Sequence, residues 1–258
     1  MPELPEAETI VRGLRPHVEG RRIVSAEFYA RRVSSDAPQE WAGRQVIAVR
    51  RQGKQVLLCL DSGASILIKL GMTGALLWNG QFGPYTRARL EFEGGGVLLF
   101  DDIRQFGSLR LVEEAGGKLG PDPFEITAED FAARLRRRNT QVKRALLDQS
   151  LVRGLGNIYT DEALFRAQIH PRARTRRLRI DRARRLHGEI VKLLEEAIAL
   201  RGSSISDYVD AQGERGTFQT RHQVYGKAGQ PCPRCGTPIT RIVVAQRGTH
   251  YCPRCQRI

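Results

Sequence analysis

The chain has 258 residues, 41% of them hydrophobic, so it can bury a core and is not an intrinsically disordered protein. Lysine and arginine number 42 against 28 acidic residues, and the net charge of +14 favours a polyanionic partner such as nucleic acid. No apolar run approaches the ~20 residues needed to span a bilayer. The first residues also lack the pattern of a signal peptide, and we therefore expect a cytoplasmic protein without a membrane partner.

The chain opens with MPELPEAET, in which a proline follows the initiator methionine. Removal of that methionine, which is usual before a small residue, would leave Pro2 as a free secondary amine. The pKa of an α-amino group is about 8, so a fraction of such groups is neutral and nucleophilic at pH 7. The same residues also suit an ordinary helix start, because Glu3 and Glu6 favour its positive end. Apolar residues at helical spacing predict this helix over residues 3–18.

Short strand-like runs follow between residues 22 and 112, from RRIVSAEFY to VLLF, and glycine-containing turns separate them. Many short strands at regular spacing predict a β-sandwich or barrel. The glycine- and proline-containing residues 115–126 then indicate a linker. We assign residues 1–114 to an N-terminal β-sandwich domain that begins with the predicted helix.

The periodicity becomes helical after the linker. Thr127 and Asp130 resemble a capping box before AEDFAARLRRR, and VKRALLDQS and IYTDEALFRAQI continue the helical pattern. A long helix ends before Gly202, and the polar, glycine-containing residues 203–226 indicate a mobile loop. We assign residues 127–222 to a helical domain.

The tetrapeptide GLGN precedes one of these helices. Gly156 lets the backbone approach a ligand, and Asn157 is suited to cap the helix. A helix N-terminus with exposed amides can bind phosphate, although a turn that only needs positive φ would have the same sequence. Arginines are dense over residues 134–144 and 172–185, which suits phosphate recognition better than lysine does. A solvated helix face and a membrane-surface patch are the alternatives.

Four of the five cysteines lie in two CPRC motifs near the C-terminus, and this spacing predicts a four-thiolate structural zinc site. The predicted ligands are Cys232, Cys235, Cys252 and Cys255. Disulfides and redox chemistry are the alternatives, and a cytosolic location disfavours disulfides. TRIVVAQRGTHYC predicts a β-hairpin between the two motifs, and we assign residues 223–258 to a zinc-finger module.

Taken together, these motifs resemble the formamidopyrimidine-DNA glycosylase family, within the wider group that includes endonuclease VIII. The matching stretches are MPELPEAET, the K-x-x-x-L strand at Lys54, LGMTG, the RxFG motif at Arg104, GLGNIYTDEALF and the zinc hairpin with AQR. The resemblance spans essentially the whole chain. It implies an α+β fold in which a β-sandwich domain precedes a helix–two-turns–helix DNA-binding domain and a zinc β-hairpin.

The resemblance implies a bifunctional DNA glycosylase and AP lyase of base excision repair, in which Pro2 attacks C1′ of the damaged nucleotide. The resulting Schiff base of a secondary amine is necessarily cationic, so it permits strand cleavage by β- and then δ-elimination. Glu3 would transfer protons at the sugar, and Lys54 would assist at the sugar and phosphate. A solvated hairpin lysine is the alternative for Lys54. Arg247, at the tip of the zinc hairpin, would bind phosphates beside the lesion.

The implied partner is double-stranded damaged DNA, bound by a monomer. Met72, Arg104 and Phe106 match the residues that fill the void left by a flipped base. The loop of residues 203–226 corresponds to the region that caps that base. The phosphate contacts implied by the resemblance are Lys143, Gly156 and Asn157.

Several positions depart from the family pattern. Lys69 replaces a histidine before LGM, and Gln105 replaces a phosphate-contacting arginine. Tyr85 lies in a stretch that replaces a histidine-bearing segment, and Arg87 and Lys69 are candidates to restore the lost positive charge.

The substrate class implied by the resemblance is oxidised purines, namely 8-oxoguanine and formamidopyrimidines. One alternative is an endonuclease VIII-like preference for oxidised pyrimidines, which the PELPE start disfavours. The other is a zinc protein that binds damage without catalysis. The presence of Pro2, Glu3, Lys54 and Arg247 argues against that alternative, because binding alone does not need a free N-terminal amine.

Overall fold

The computed structural model describes residues 2–113 and 119–258. The chain forms two compact units, Met1–Gly117 with Ala197–Gln219 and Lys118–Glu196 with Thr220–Ile258. Residues 197–219, which we grouped with the helical domain, therefore belong to the first unit. Hydrogen bonds hold them there, such as the 2.7 Å bond from the Ser203 amide to the Glu6 carboxylate. Residues 115–118 of the predicted linker lie outside the described residues.

The first unit contains one α-helix and two antiparallel sheets. Its elements are α1 (Leu4–Val18), β1 (Ile23–Phe28), β2 (Val46–Gln52), β3 (Gln55–Leu60), β4 (Ser65–Lys69), β5 (Gly74–Trp78), β6 (Thr86–Phe92), β7 (Val97–Asp102) and β8 (Ser108–Val112). The strand orders are β1-β6-β7-β5 and β2-β3-β4-β8. β5 (GALLW) and β8 (SLRLV) were not among the predicted strand-like runs, although β8 alternates polar and apolar residues over its first four positions.

A shared hydrophobic core joins both sheets and α1. Ile10 and Leu14 of α1 are fully buried in it, together with Trp41 and Phe100. α1 packs against β2 and β3. The apolar stripe of the predicted N-terminal helix therefore fixes the start of the chain on one sheet.

The second unit contains α2 (Ala128–Arg137), α3 (Val142–Leu147), α4 (Asn157–Arg166), most of α5 (Ile180–Ala199), β9 (Thr240–Val244) and β10 (Arg247–Tyr251). Thr127 caps α2 as expected, because its hydroxyl accepts a 3.1 Å hydrogen bond from the Asp130 amide. Gly156, and not Asn157, is the N-cap of α4, and Asn157 is the first helical residue. β9 and β10 form the predicted hairpin.

The predicted α+β fold is confirmed, with a β-sandwich preceded by a helix, a helical region and a four-cysteine hairpin. Residues 203–226 contain a short 3₁₀ turn, Phe218–Arg221, and otherwise lack regular structure. Internal hydrogen bonds hold this segment, including those of the Ser204 hydroxyl with Tyr208 and Gly216. Among the residues described, no helix has the length and apolar character required to cross a membrane.

Candidate functional site

The N-terminus is anchored by a buried carboxylate in the first unit. Pro2 is buried immediately before α1. The Glu3 amide donates a 2.7 Å hydrogen bond to Glu6, whose carboxylate also accepts the 2.7 Å bond from Ser203. Gly202 has φ of +77°, and a Cβ atom there would lie 2.6 Å from the Glu6 carboxylate. Glu6 thus joins the chain start to the segment that follows α5, a role that the sequence did not reveal.

Lys54 lies in the tight turn between β2 and β3. Gly53 has φ of +63°, as the first central residue of a type II′ turn requires, and Lys54 follows it. Arg51, just before this turn, forms a 2.9 Å ion pair with Glu8 in the first half of α1. The turn that carries Lys54 therefore lies at the end of α1 that carries Pro2.

Two loops bring the predicted void-filling residues together. Met72 lies between β4 and β5, and Arg104 and Phe106 lie between β7 and β8. The Arg104 guanidinium is 3.1 Å from the Met72 sulfur and lies 4.6 Å from the centre of the Phe106 ring. Met72 is 42% exposed and Phe106 is 59% exposed. Large apolar side chains this exposed are available to insert between bases, which core residues are not.

The buried carboxylate of Asp102 ties these two loops together. It accepts hydrogen bonds from the Thr73 hydroxyl, from the Arg104 amide at 3.2 Å and from the Gly107 amide at 2.8 Å. Gln105 has φ of +54°, so the turn between the two amides is tight. Motif analysis missed Asp102, although a carboxylate at the start of a turn rich in backbone amides is a recognisable signal.

The positions that depart from the family pattern have different environments. Lys69 is exposed at the end of β4, and Tyr85 is exposed in the turn before β6. Arg87 is half-buried, and its guanidinium donates to the Asp102 carbonyl at 2.9 Å and to the Pro84 carbonyl at 3.2 Å. Arg87 therefore supports the loop that carries Arg104, whereas Lys69 is exposed and forms no ion pair with a residue that the structure describes.

The four predicted zinc ligands converge in the second unit. Their sulfur atoms all lie within 4.8 Å of one another. The Cys232–Cys255 and Cys235–Cys252 separations are 3.9 and 3.5 Å, much longer than the ~2.05 Å of a disulfide. Tetrahedral zinc with bonds of about 2.3 Å sets sulfur atoms about 3.8 Å apart, so the cluster fits one structural zinc ion. A zinc ion bound by these four thiolates would hold the two ends of the β9–β10 hairpin together.

Arg247 is exposed at the tip of that hairpin. Ala245 and Gln246 form its two-residue turn with φ of +50° and +58°, the type I′ conformation that matches the twist of a hairpin. Val244 and Arg247 are paired across the turn. The predicted position of Arg247 at the tip is therefore the observed one.

A buried ion pair supports β10 from α3 and α4. The Lys143 ammonium lies 2.6 Å from the Asp161 carboxylate, and both side chains are fully buried. Lys143 also donates to the Gly248 carbonyl at 3.3 Å, as Asn157 does at 3.0 Å. Asp161 accepts a 2.8 Å bond from the His250 amide. This burial argues against the direct phosphate contact that the sequence suggested for Lys143.

The neighbouring carboxylate, Glu162, binds the chain that enters the zinc module. It accepts hydrogen bonds of 2.8 to 3.0 Å from three successive amides, those of Gln223, Val224 and Tyr225. Burial raises the pKa of Glu162, and the bonds from these amides oppose that rise. We missed both acids of α4, although two adjacent acids inside the apolar IYTDEALF pattern are an indication of buried polar contacts.

A basic groove of about 740 Å³ lies beside the hairpin tip. Arg138, Arg144 and Arg247 line it, together with Asn139 and Thr140. Three guanidinium groups around one open groove favour a ligand with several phosphates.

Models of known families match three successive parts of the chain. The formamidopyrimidine-DNA glycosylase N-terminal domain matches residues 1–109, the H2TH domain of the same enzymes matches residues 119–209, and a zinc finger found in FPG and IleRS matches residues 229–258. The fold and the site accordingly define a zinc-containing DNA glycosylase.

Individual relatives agree along their full length. A formamidopyrimidine-DNA glycosylase of Solibacter usitatus is 51% identical, with 100% of both chains covered. The crystal structure of the MutM (Fpg) protein of Thermus thermophilus is 42% identical, with a TM-score of 0.90 over 99% of this chain and 98% of that one. A Lactococcus lactis Fpg variant in complex with Fapy-dG-containing DNA is 35% identical, with a TM-score of 0.92 over 100% of both chains. The chain belongs to the formamidopyrimidine-DNA glycosylase family.

Proposed function

We propose that the protein excises oxidised purines, such as 8-oxoguanine and formamidopyrimidines, from double-stranded DNA and then cleaves the strand at the abasic site. The observation that carries this proposal is the anchored N-terminus, where Glu6 holds the backbone beside Pro2. The 51% identity to a protein named as a formamidopyrimidine-DNA glycosylase supports the substrate class. A protein that only binds damage has no need for a secondary amine fixed in this way.

In the proposed reaction, the Pro2 nitrogen forms a bond to C1′ while the bond from C1′ to the damaged base breaks and the base leaves with its electron pair. The amine proton is then lost and the C1′–O4′ bond breaks as O4′ takes up a proton, which opens the sugar and gives a cationic iminium that acidifies the hydrogen on C2′. Loss of that proton expels the 3′ phosphate by β-elimination, and a second elimination expels the 5′ phosphate. Glu3 transfers protons at the sugar, and Lys54 assists at the sugar and phosphate.

The DNA contacts of this proposal come from both units. Met72, Arg104 and Phe106 occupy the space that the flipped nucleotide leaves, which holds the duplex kinked. Arg247 binds phosphates, and the backbone at Gly156 contributes the N-terminus of α4 to phosphate binding. Zinc contributes here only by fixing the hairpin that presents Arg247. We assign Lys143 and Asn157 to the support of that hairpin as well, since both donate to Gly248.

We also propose that the enzyme acts as a monomer in the cytoplasm. All the residues assigned above come from one chain, and the proposed substrate is chromosomal DNA. Along the chain we divide the protein into catalytic, DNA-binding and zinc-finger domains at 1–114, 127–222 and 223–258, with residues 115–126 as the linker. Residues 197–219 of the second range pack with the first unit.

Borohydride trapping tests the reaction and the substrate together. Untagged protein is incubated with duplexes that carry 8-oxoguanine, a formamidopyrimidine or oxidised thymine, and the covalent protein–DNA adduct is measured after reduction. We expect adducts with the two purine lesions and a lower yield in Pro2→Gly, whose primary amine gives an imine that is not permanently cationic. A matched preparation that retains its initiator methionine should fail, because its amine is blocked as a nucleophile.

Trapping only on oxidised thymine would keep the iminium chemistry and replace the substrate by the endonuclease VIII-like alternative. Intact binding without any adduct would overturn the enzymatic proposal in favour of damage binding. Equal trapping by the preparation that retains its methionine would exclude Pro2 as the nucleophile, because in that protein the Pro2 nitrogen is part of a peptide bond.

A further inference from the structure

The second unit carries a dense arginine surface that the proposed reaction does not use. It consists of residues 134–137 at the end of α2 and residues 172–185 between α4 and the first turns of α5, and we call it the arginine ridge. Residues 172–185 contain eight arginines and one acidic residue. All of these arginines except Arg182 are exposed, as are the three in residues 134–137.

Packing contacts join these segments into one surface. α2 packs against the 3₁₀ turn Thr175–Arg177. Glu129 at the start of α2 forms a 3.2 Å ion pair with Arg184 of α5. The rings of Phe131 and His187 lie 5.3 Å apart beneath it. α2, the 3₁₀ turn and α5 therefore pack against one another, although α2 is distant from the other two in sequence.

Few acidic groups neutralise this surface. Arg184 pairs with Glu129, and Arg179 lies 3.4 Å from Asp181. The other exposed arginines of the ridge, Arg176 and Arg177 among them, form no ion pair with a residue that the structure describes. Like charges at this density repel one another, and a polyanion that neutralises them removes the repulsion. Exposed guanidinium groups favour phosphate over other anions because of their planar donor geometry.

The arginine ridge is continuous with the basic groove. The Thr175 amide donates a 3.0 Å hydrogen bond to the Thr140 carbonyl, and the Thr175 hydroxyl donates to the Arg138 carbonyl. Thr140 and Arg138 both line the groove that contains Arg247. Arg176 and Arg177 follow Thr175 directly, so the ridge begins at the edge of the groove.

We propose that the arginine ridge is a second DNA-binding surface, which contacts the phosphate backbone of the duplex beyond the groove and lengthens the footprint of the enzyme. The inference rests on the proposed function in that it takes duplex DNA as the partner. α2 has ten residues and spans about 15 Å, along which a duplex presents roughly nine phosphate charges. One face of this size can therefore meet several phosphates of an undeformed duplex.

The test compares two double variants that remove the same charge. Arg176→Gln/Arg177→Gln changes the arginine ridge, and Arg254→Gln/Arg257→Gln changes two exposed arginines in the C-terminal segment. Binding of an undamaged duplex of about 30 base pairs is measured at several salt concentrations. Each lost phosphate contact lowers the slope of log K against log salt by about 0.9. We expect a loss of about 1.8 in the ridge variant and an unchanged slope in the control.

An unchanged slope in the ridge variant, or an equal decrease in both variants, would overturn the proposal, because the effect would then be absent or due to total charge. Should the ridge variant fail to fold, Arg136→Gln/Arg137→Gln on α2 provides the same comparison. The duplex carries no lesion, so this result does not depend on Pro2 or on excision. Failure of the proposed enzymatic activity would thus leave the test of the ridge intact.

Discussion

Four buried carboxylates, those of Glu6, Asp102, Asp161 and Glu162, accept hydrogen bonds from backbone amides and hold the parts of the candidate site in place. A buried carboxylate needs such donors, and several amides can satisfy one carboxylate at once. Sequence motifs indicated the residues that we propose contact DNA, but not these supporting acids. Ser203 is distant in sequence from Glu6, as the amide partners of Asp161 and Glu162 are from those acids, so spacing along the chain contains no sign of these contacts. Asp102 differs, because its amide partners Arg104 and Gly107 lie within five residues of it.

Replacement of Asp102 by asparagine tests whether this carboxylate organises the void-filling residues. The amide nitrogen of asparagine cannot accept the hydrogen bond from Gly107, so the loop that carries Arg104 and Phe106 should lose its fixed conformation. A hydrogen bond to a charged group contributes about 1.5 kcal/mol, so we expect excision from a damaged duplex to slow about tenfold. Trapping on a single-stranded abasic oligonucleotide, which has no void to fill, should be unaffected.

Asp101→Asn is the matched control for this variant. It makes the same chemical change on the adjacent residue, whose Oδ1 atom is buried without a hydrogen-bond partner among the described residues. Slower excision in Asp101→Asn as well, or an equal loss of trapping on the single strand, would show that Asp102 acts on general stability.

Lys143 has a buried ion-pair partner that the family resemblance did not indicate. The sequence suggested a phosphate contact, whereas the structure places the ammonium against Asp161 beneath β10. Lys143→Met leaves the Asp161 charge unpaired, and we expect the free energy of unfolding of the second unit to fall by about 3–5 kcal/mol in urea denaturation. Lys143→Met with Asp161→Leu should recover much of the loss. An unchanged stability together with a salt slope lowered by about 0.9 would instead support the phosphate contact.

Sequence periodicity predicted those helices and hairpins whose formation depends on neighbouring residues in the chain. Residues 3–18 were predicted as a helix and α1 is Leu4–Val18, because an apolar stripe and an acidic first turn are both encoded locally. The β9–β10 hairpin was likewise predicted from its turn and flanking strands. Its orientation was not, because the buried contacts of α4 with Gly248, His250 and the Gln223–Tyr225 amides are tertiary.

Removal of zinc should unfold this hairpin selectively. A two-stranded hairpin is marginally stable alone, and the metal closes its ends through four thiolates. With a chelator, we expect hydrogen exchange of the amides in β9 and β10 to accelerate and DNA binding to fall, since Arg247 loses its fixed position. The strands of the first unit should keep their protection, and added zinc should restore both properties. Persistent protection of β9 and β10 without metal would contradict the structural role of the ion.

For the molecule as a whole, composition predicted the class of partner but did not predict how the chain is divided between the two units. The net charge of +14 indicated a polyanion, and relatives bound to damaged DNA agree with it. The return of residues 197–219 to the first unit was not predictable from composition, because their polar sequence resembles that of any exposed loop. Specific hydrogen bonds hold them on the first unit. The Ser203 amide donates to the Glu6 carboxylate, and the Trp78 amide donates to the Ala211 carbonyl.

The charge balance leads to a prediction for the intact protein. Release of counterions from DNA makes affinity fall steeply with salt, and about six neutralised phosphates would lower it roughly 10³-fold between about 50 and 200 mM salt. We expect this for undamaged and damaged duplexes alike, because the phosphate contacts carry no information about the lesion. Fluorescence titration over that range gives the slope. A duplex whose backbone is made neutral by methylphosphonate substitution is the control and should show a much shallower dependence. A flat dependence with ordinary DNA would mean that apolar and base contacts dominate binding, in which case the exposed arginines of the second unit serve another purpose than holding the duplex.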